Sequence, residues 1–224
     1  MASVVVGRLA SVNVGRPKMV PWFGRQVRTA IWKFPVAGRV ALAGDNLAGD
    51  DQADRRVHGG YDKAVYAYAA EDYQWWEQAA GGEFGPGTFG AGTFGDNLTT
   101  SGVDLPAAVV GERWAIGTAI LEVSQPRQPC FKLGIRMGTT EFVDRFEAAG
   151  RYGTYLRIVA GGELGTGDEI VLVHRPDHGL RIADLIRAHL GPDPDAALMA
   201  RIASAPDVPE GWRTMAERAI KRGR

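Results

Sequence analysis

Gln125-Pro126-Arg127-Gln128-Pro129-Cys130-Phe131-Lys132 follows a strand-like run, Ala119–Val123, and holds the only cysteine of the chain. Two prolines, an arginine, a cysteine and a lysine are poor material for an apolar core. The prolines fix φ and remove backbone donors, so the segment is stiff. Arg127 and Lys132 place positive charge beside the thiol, and nearby cations favour the thiolate, the form of cysteine that attacks or binds metal. A lone cysteine is otherwise often a small buried hydrophobe. Here the flanking residues point instead to one sulfur held at a fixed place in an electropositive pocket.

Outward from this stretch, thirty glycines and twelve prolines suggest short strands joined by turns. Val4–Val6, Val27–Phe34, Ala64–Tyr68, Trp114–Ile116, Ala119–Val123, Tyr155–Val159 and Glu169–Val173 read as strands. Between them, Tyr73, Trp76 and Ala80 share one face of a predicted helix over Glu71–Ala80. Phe142, Phe146 and Ala149 do so over Thr140–Ala149, with Thr139 or Thr140 as a candidate cap. The glycine-rich stretch Gly81–Gly95 lacks the Gly-Lys-Ser/Thr of a phosphate loop and reads as a flexible surface excursion. After Pro176 the texture changes. Gly179–Leu190, Pro194–Ser204 and Pro209–Lys221 each carry an apolar stripe, which marks a small helical packing unit; Pro194 and Pro209 suit first-turn positions. The expected organisation is a β-rich body over residues 1–176 and a three-helix appendage over 177–224.

The 224 residues include 26 basic and 26 acidic side chains, so no net field recruits nucleic acid or an acidic membrane surface. One cysteine excludes an intrachain disulfide, an all-cysteine iron–sulfur cluster and a four-cysteine zinc site within the chain. No signal peptide and no run long enough to span a bilayer is legible, and the expected compartment is the cytoplasm.

Three polar clusters lie in the β-rich body: the acidic run Asp45–Asp54 leading into Arg55–Tyr66, then Phe94–Thr99, and the Cys130 stretch. The acidic run lacks the ligand order of a calcium loop and reads as a solvated turn. His58 precedes two glycines, where backbone can approach a ligand closely. Cys130, His58, Asp62 and Asn97 formally supply a cysteine-hydrolase set, but the residues around Cys130 match neither the papain nor the caspase signature. His174 and His178 are four apart, yet they straddle Arg-Pro at a strand end, which argues against a metal pair.

Taken together, Gly49-Asp50-Asp51-Gln52, His58-Gly59-Gly60-Tyr61-Asp62-Lys63-Ala64-Val65, Gly95-Asp96-Asn97-Leu98 and Gln125-Pro126-Arg127-Gln128-Pro129-Cys130 resemble the motif series of MOSC domains, which take their name from the C-terminal part of molybdenum cofactor sulfurase. The resemblance is nearest to the stand-alone bacterial YiiM-like branch, which also carries three C-terminal helices. One departure is Asp96, where glutamate is commoner; the carboxylate is kept one methylene shorter. The resemblance implies a mainly β (α+β), bent barrel-like domain with a few short helices. It implies molybdenum cofactor (molybdopterin), with Cys130 as catalytic residue and metal ligand. A soft, charged sulfur suits a metal already held by two sulfurs. His58, Gly59, Gly60, Lys63 and Asn97 are the expected contacts to the pterin and its phosphate. Arg127 forks onto an anionic oxygen, and Asp96 orients Arg127 or a pterin amine. The implied activity is two-electron reduction of small N-hydroxylated compounds, such as hydroxylaminopurine bases. With one cysteine and no dinucleotide fingerprint, the electrons must come from a separate reductase. A rival expectation is a carrier that binds the cofactor, or passes sulfur on Cys130, without turnover.

Overall fold

The computed structural model describes residues 4–53, 59–191 and 195–222. In chain order the strands are β1 (Val4–Val14), β2 (Lys18–Trp22), β3 (Arg25–Thr29), β4 (Phe34–Pro35), β5 (Arg39–Ala43), β6 (Asn46–Leu47), β7 (Val65–Ala69), β8 (Leu98–Ser101), β9 (Arg113–Ile116), β10 (Ala119–Pro126), β11 (Thr154–Ala160), β12 (Gly162–Gly165) and β13 (Glu169–His174). The helices are α1 (Ala70–Ala79), α2 (Phe131–Met137), α3 (Glu141–Ala149), α4 (Ile182–Leu190), α5 (Ala196–Ser204) and α6 (Glu210–Arg222).

Seven strands run in the order β13-β9-β10-β11-β7-β8-β1, and β1 pairs back onto β13 to close a barrel. Val4 faces Leu172 across that seam. Every ladder of the barrel is antiparallel except β7–β8. A parallel pair needs a long crossover, and here α1 and residues 80–97 supply it. The mainly β, barrel-like expectation is correct.

Strand β7 shows how the sequence builds two cores at once. Successive side chains alternate between faces of a strand. Val65, Ala67 and Ala69 therefore enter the barrel core with Leu9, Leu98, Trp114, Leu121 and Leu156. Tyr66 and Tyr68 point the other way, into a second core of aromatic residues under α1 and α3. Phe142 and Phe146, one helical turn apart on α3, pack against Trp76 of α1 at ring-centroid distances of 5.0 and 5.8 Å. Each fully buried side chain of this size contributes about 2–3 kcal/mol through removal from water.

The three C-terminal helices share the barrel core rather than forming their own. Leu185, Leu198, Ile202 and Trp212 belong to the same apolar cluster as the barrel interior. Trp212 Nε1 donates to Gln125 Oε1 at 2.8 Å, and Arg157 Nη2 donates to the Asp207 carbonyl at 3.0 Å. Helices α4, α5 and α6 begin up to three residues later than the sequence suggested. Asp195 caps α5 by accepting from Ala197 and Leu198 N–H. Pro194, expected in that first turn, lies outside the described residues. Thr140 precedes α3 without a side-chain cap bond, and the Thr139 hydroxyl donates to the Glu141 carboxylate instead of accepting from a helix N–H, so neither candidate caps as expected.

Two other expectations are corrected. The strand expected over Val27–Phe34 stops at Thr29, and residues 30–33 leave the ladder until β4. Gly81–Gly95 is no loose excursion: Phe89 and Phe94 are buried in the aromatic core, and Phe84 packs against it. The two departures have one cause. At Gly92, φ is +79° and an added Cβ would lie 2.5 Å from the Lys33 carbonyl oxygen. The glycine stretch is thus pressed onto residues 30–33, and the pair forms one wall of a cleft.

Candidate active site

The cleft and its open mouth together hold about 600 Å³ of empty space, part of it continuous with solvent. One wall is the 29–33 segment with residues 50–53; the other carries Lys63, Arg127, Cys130 and Lys132, with Tyr66, Asn97 and Tyr155 between them.

Strand β10 delivers the Cys130 stretch. Pro126 still pairs with Thr154 at the end of the β10–β11 ladder. Beyond it the chain leaves the sheet extended, and Cys130 (φ −140°, ψ 167°) occupies the cap position of α2. Its carbonyl accepts from Leu133 N–H at 2.8 Å, so the half-buried sulfur is anchored at its own backbone. Arg127 turns inward and is 5% exposed. Its guanidinium carbon lies 5.6 Å from the Tyr66 ring and 5.5 Å from the Phe146 ring, aromatic faces that suit a cation. Among the described residues its buried Nη1 has no hydrogen-bond partner. Leaving such a donor unmet inside a protein is costly, more so when charged. Burial works against this charge, yet the neighbouring Tyr66, Cys130 and Tyr155 more than offset it and hold the pKa above the ordinary arginine value. The Cys130 sulfur therefore sits in the field of a buried cation.

Lys63 arrives by a different route. Gly60, at φ 85° and ψ 178°, starts the short 3-10 turn Tyr61–Lys63 that feeds β7. That conformation is open essentially to glycine alone. Burial lowers the Lys63 pKa, against the opposing pull of Asp62 and Cys130. The attraction is reciprocal: what favours the ammonium favours the thiolate.

On the facing wall, Lys33 donates to Asp50 at 2.5 Å, with the two side chains 8% and 1% exposed. Asp50 also accepts from Asn97 Nδ2 at 2.9 Å and from Gly15 N–H at 2.8 Å. Burial depresses the Lys33 pKa, and Asp50 partly restores it. Asn97 is held on every side: its Oδ1 accepts from Tyr66 N–H at 3.1 Å, fastening this network to β7.

The structure thus brings together Cys130, Arg127, Lys63 and Asn97 of the sequence candidates. Gly59 and Gly60 lie in the turn that presents Lys63, outside the cleft lining. His58 lies outside the described residues. Asp96 is the correction. It is fully buried and faces the aromatic core, accepting from Tyr73 Oη at 2.5 Å and Thr99 Oγ1 at 2.7 Å. It makes no bond to Arg127 and does not line the cleft. Burial raises its pKa, opposed by the Tyr73 and Thr99 hydroxyls. Its work is to knit the loop after Gly95 to β1 through Asn13. The expected solvated turn also hid a site residue, since Asp50 is buried in its ion pair. Lys33 was missed altogether; a charged residue inside the apolar run Ile31-Trp32-Lys33-Phe34 was its signal. Two other histidines have structural partners: His178 Nε2 lies 3.2 Å from Asp207 Oδ2, and His189 packs edge-on to Trp212.

The family model of the MOSC domain matches residues 54–171, more than half of the chain. The chain belongs to the MOSC-domain family. This MOSC chain is 31% identical to protein YiiM of Escherichia coli (strain K12) over 224 residues, covering 97% of it and 91% of that protein. In structure it is similar to YiiM from Geobacillus stearothermophilus, with a TM-score of 0.78 and 32% identity, covering 96% of this chain and 99% of the other. It is also 33% identical over 171 residues to a protein named reductase from Gibberella moniliformis (strain M3125 / FGSC 7600), covering 76% of this chain and 30% of that one. Within the MOSC frame, Cys130, Arg127 and Lys63 fall inside the matched span, whereas Lys33 and Asp50 precede it.

Proposed function

We propose that this MOSC protein binds molybdenum cofactor in the cleft and reduces small N-hydroxylated compounds, with electrons from a separate reductase. The observation that carries the reading is the presence in one cleft of a sulfur and a buried arginine whose Nη1 has no partner among the described residues. MOSC domains as a family are associated with this cofactor, and the residues present suit it. Among the described residues no group of three or more His, Cys, Asp or Glu side chains converges as a metal site. A single thiolate therefore fits a metal that brings most of its own ligands, and sulfur suits one already bound by sulfur. Arg127 suits the anionic oxygens of such a group, and Lys63 and Lys132 extend the positive lining.

When bound, the cofactor supplies the redox-active metal that exchanges the two electrons. The chain's part is to hold and to orient. Cys130 fixes the sulfur at a helix cap, behind the stiff Pro129, as a ligand requires and a mobile persulfide carrier does not. Arg127 and Lys63 place positive charge beside that sulfur, which favours a thiolate. Asn97 and Asp50 keep the facing wall in register, and Lys33 presents an ammonium there. The net reaction consumes two electrons and two protons, breaks the N–O bond, and releases the amine and water. The fungal relative named reductase supports the oxidoreductase class, and the similar region forms 30% of that longer protein.

Expression in a host that makes the cofactor, followed by metal and pterin analysis of wild type and Cys130→Ser, tests the proposal. Near-equimolar molybdenum and pterin in the wild type, with metal lost in the variant, is the expected result. Loaded protein should then reduce hydroxylaminopurine with a reductase present and be inactive with NADPH alone. Absence of both metal and pterin in the wild type, where a known cofactor-binder fills, overturns it.

A further inference from the structure

Residues 1–44 contain seven cations, Arg8, Arg16, Lys18, Arg25, Arg28, Lys33 and Arg39, and no carboxylate; the first is Asp45. In a chain balanced at 26 charges of each sign, that segregation is pronounced. Lys33 and Arg39 are neutralised by Asp50 and Asp168. Arg16, Lys18, Arg25 and Arg28 are not: all four are exposed, and none meets a carboxylate among the described residues. They sit on or beside one two-stranded ribbon, β2–β3. Like charges crowded on a ribbon repel, and an isolated hairpin is marginal without help.

The tip of the ribbon is also unusual. Phe23 and Gly24 form a two-residue turn with φ of 44° and 73°. Positive φ at both positions is the hairpin geometry that favours Asn-Gly, and a phenylalanine there is strained. Yet Phe23 is 79% exposed, held edge-on to Trp22 at 4.7 Å, and Met19 on the same ribbon is 55% exposed. Aromatic anchors beside cations that meet no carboxylate among the described residues are the makings of an interface core. The ribbon's base is the cleft wall itself. Strand β3 runs directly into Thr29, Ala30 and Ile31 of the lining, and Arg28 Nη1 donates to the carbonyl of Ala53, another lining residue, at 2.7 Å.

We propose that hairpin β2–β3 is the docking surface for an acidic redox protein that delivers electrons to the cleft. The proposal rests on the reductase reading, which requires a separate donor. Redox encounters bury little area and depend on complementary charge for their on-rate, which a small, wholly basic ribbon at the mouth provides. With a flavodoxin-type donor the balance closes: its flavin hydroquinone yields two electrons and two protons, and the N-hydroxyl substrate takes up both as its N–O bond breaks to amine and water.

The test measures binding of the cofactor-loaded chain to two acidic probes, flavodoxin and a plant-type ferredoxin. It compares wild type with Arg16→Glu/Arg25→Glu, whose replaced side chains lie outside the cleft lining. Wild type should bind at least one probe at about 0.01 M salt and lose most of that binding at about 1 M, where the Debye length shrinks to about 3 Å. The double variant should bind about ten-fold or more weakly at low salt, while its melting temperature and its turnover with a reduced viologen dye match wild type. Unchanged binding in the variant, binding of neither acidic protein, or tighter binding of duplex DNA than of either would overturn the proposal. Failure of wild type to turn over with viologen counts against the reductase reading instead, and the binding measurement, made without substrate, still decides the hairpin.

Discussion

Replacing Asp50 by asparagine removes one charge from a buried pair while keeping the side chain's shape. In the wild type Asp50 accepts from Lys33 Nζ, Asn97 Nδ2 and Gly15 N–H. With the two charged side chains 8% and 1% exposed, solvent screening is slight. Breaking such a pair by removing one partner costs about 3–5 kcal/mol, because the other charge stays buried. We expect about 3–4 kcal/mol at neutral pH, measured by urea unfolding with tryptophan fluorescence. The pH dependence identifies the cause. Burial depresses the Lys33 pKa, and Asp50 opposes that depression, so the variant's lysine falls further. A lysine whose folded pKa is depressed contributes stability that is present above its unfolded pKa and lost as pH falls through the folded one. Between those values stability rises with pH, by at most about 1.4 kcal/mol per unit for one proton. In the variant the rise begins at lower pH, so the gap to wild type narrows as pH climbs from neutral toward 10. Lys33→Met/Asp50→Leu, which removes both charges, should recover most of the loss. A deficit below about 1 kcal/mol, or one that is flat with pH, refutes the assignment of a dry ion pair at this wall.

Arg127→Met should leave the cofactor-free protein as stable as wild type or slightly more so, because a buried, partly unmet cation is removed; titration of the cofactor-free proteins with phosphate by melting-temperature shift should show stabilisation in wild type only. Tyr73→Phe deletes the donor to Asp96 and the acceptor of Phe94 N–H. It should cost about 2–3 kcal/mol. The deficit should be larger above the raised Asp96 pKa, where the carboxylate is charged, than below it, as denaturant unfolding across that range would report. Trp212→Ala removes a core side chain and the Gln125 bond, with an expected loss of about 3–5 kcal/mol. Calorimetry should still show one transition, because the C-terminal helices and barrel share a core; a separate early transition would contradict that.

The strands and the helical stripes were legible because their periodicities reflect burial on one face, as in Phe142 and Phe146 of α3. The Cys130 stretch was legible because its composition suits a pocket better than a core. What escaped reading depended on contacts between distant parts of the chain. Nothing local to Lys33 reveals that Asp50 will meet it, or that Gly92 will press against its carbonyl. Asp96 and Asn97 were read together because both belong to the Gly95-Asp96-Asn97-Leu98 motif, but sharing a motif does not set which way each side chain turns. One faces the site, and the other faces Tyr73. Helix α2 was hidden behind the prolines that precede it, and the phenylalanines of the Gly81–Gly95 stretch were outweighed by its glycines.

The seam between β1 and β13 sets a schedule for synthesis. Strand β1 leaves the ribosome long before one of its barrel partners, which begins at Glu169. Until that partner emerges, that edge of β1 has backbone donors and acceptors with no strand to pair with, and such edges recruit other chains. Every described residue lining the cleft precedes Leu156, so the walls are made before the frame that fixes them is closed. Capture of the proposed cofactor by a nascent chain would therefore wait until β13 has emerged, and a chain truncated before Glu169 would carry the described lining side chains without the barrel that aligns them.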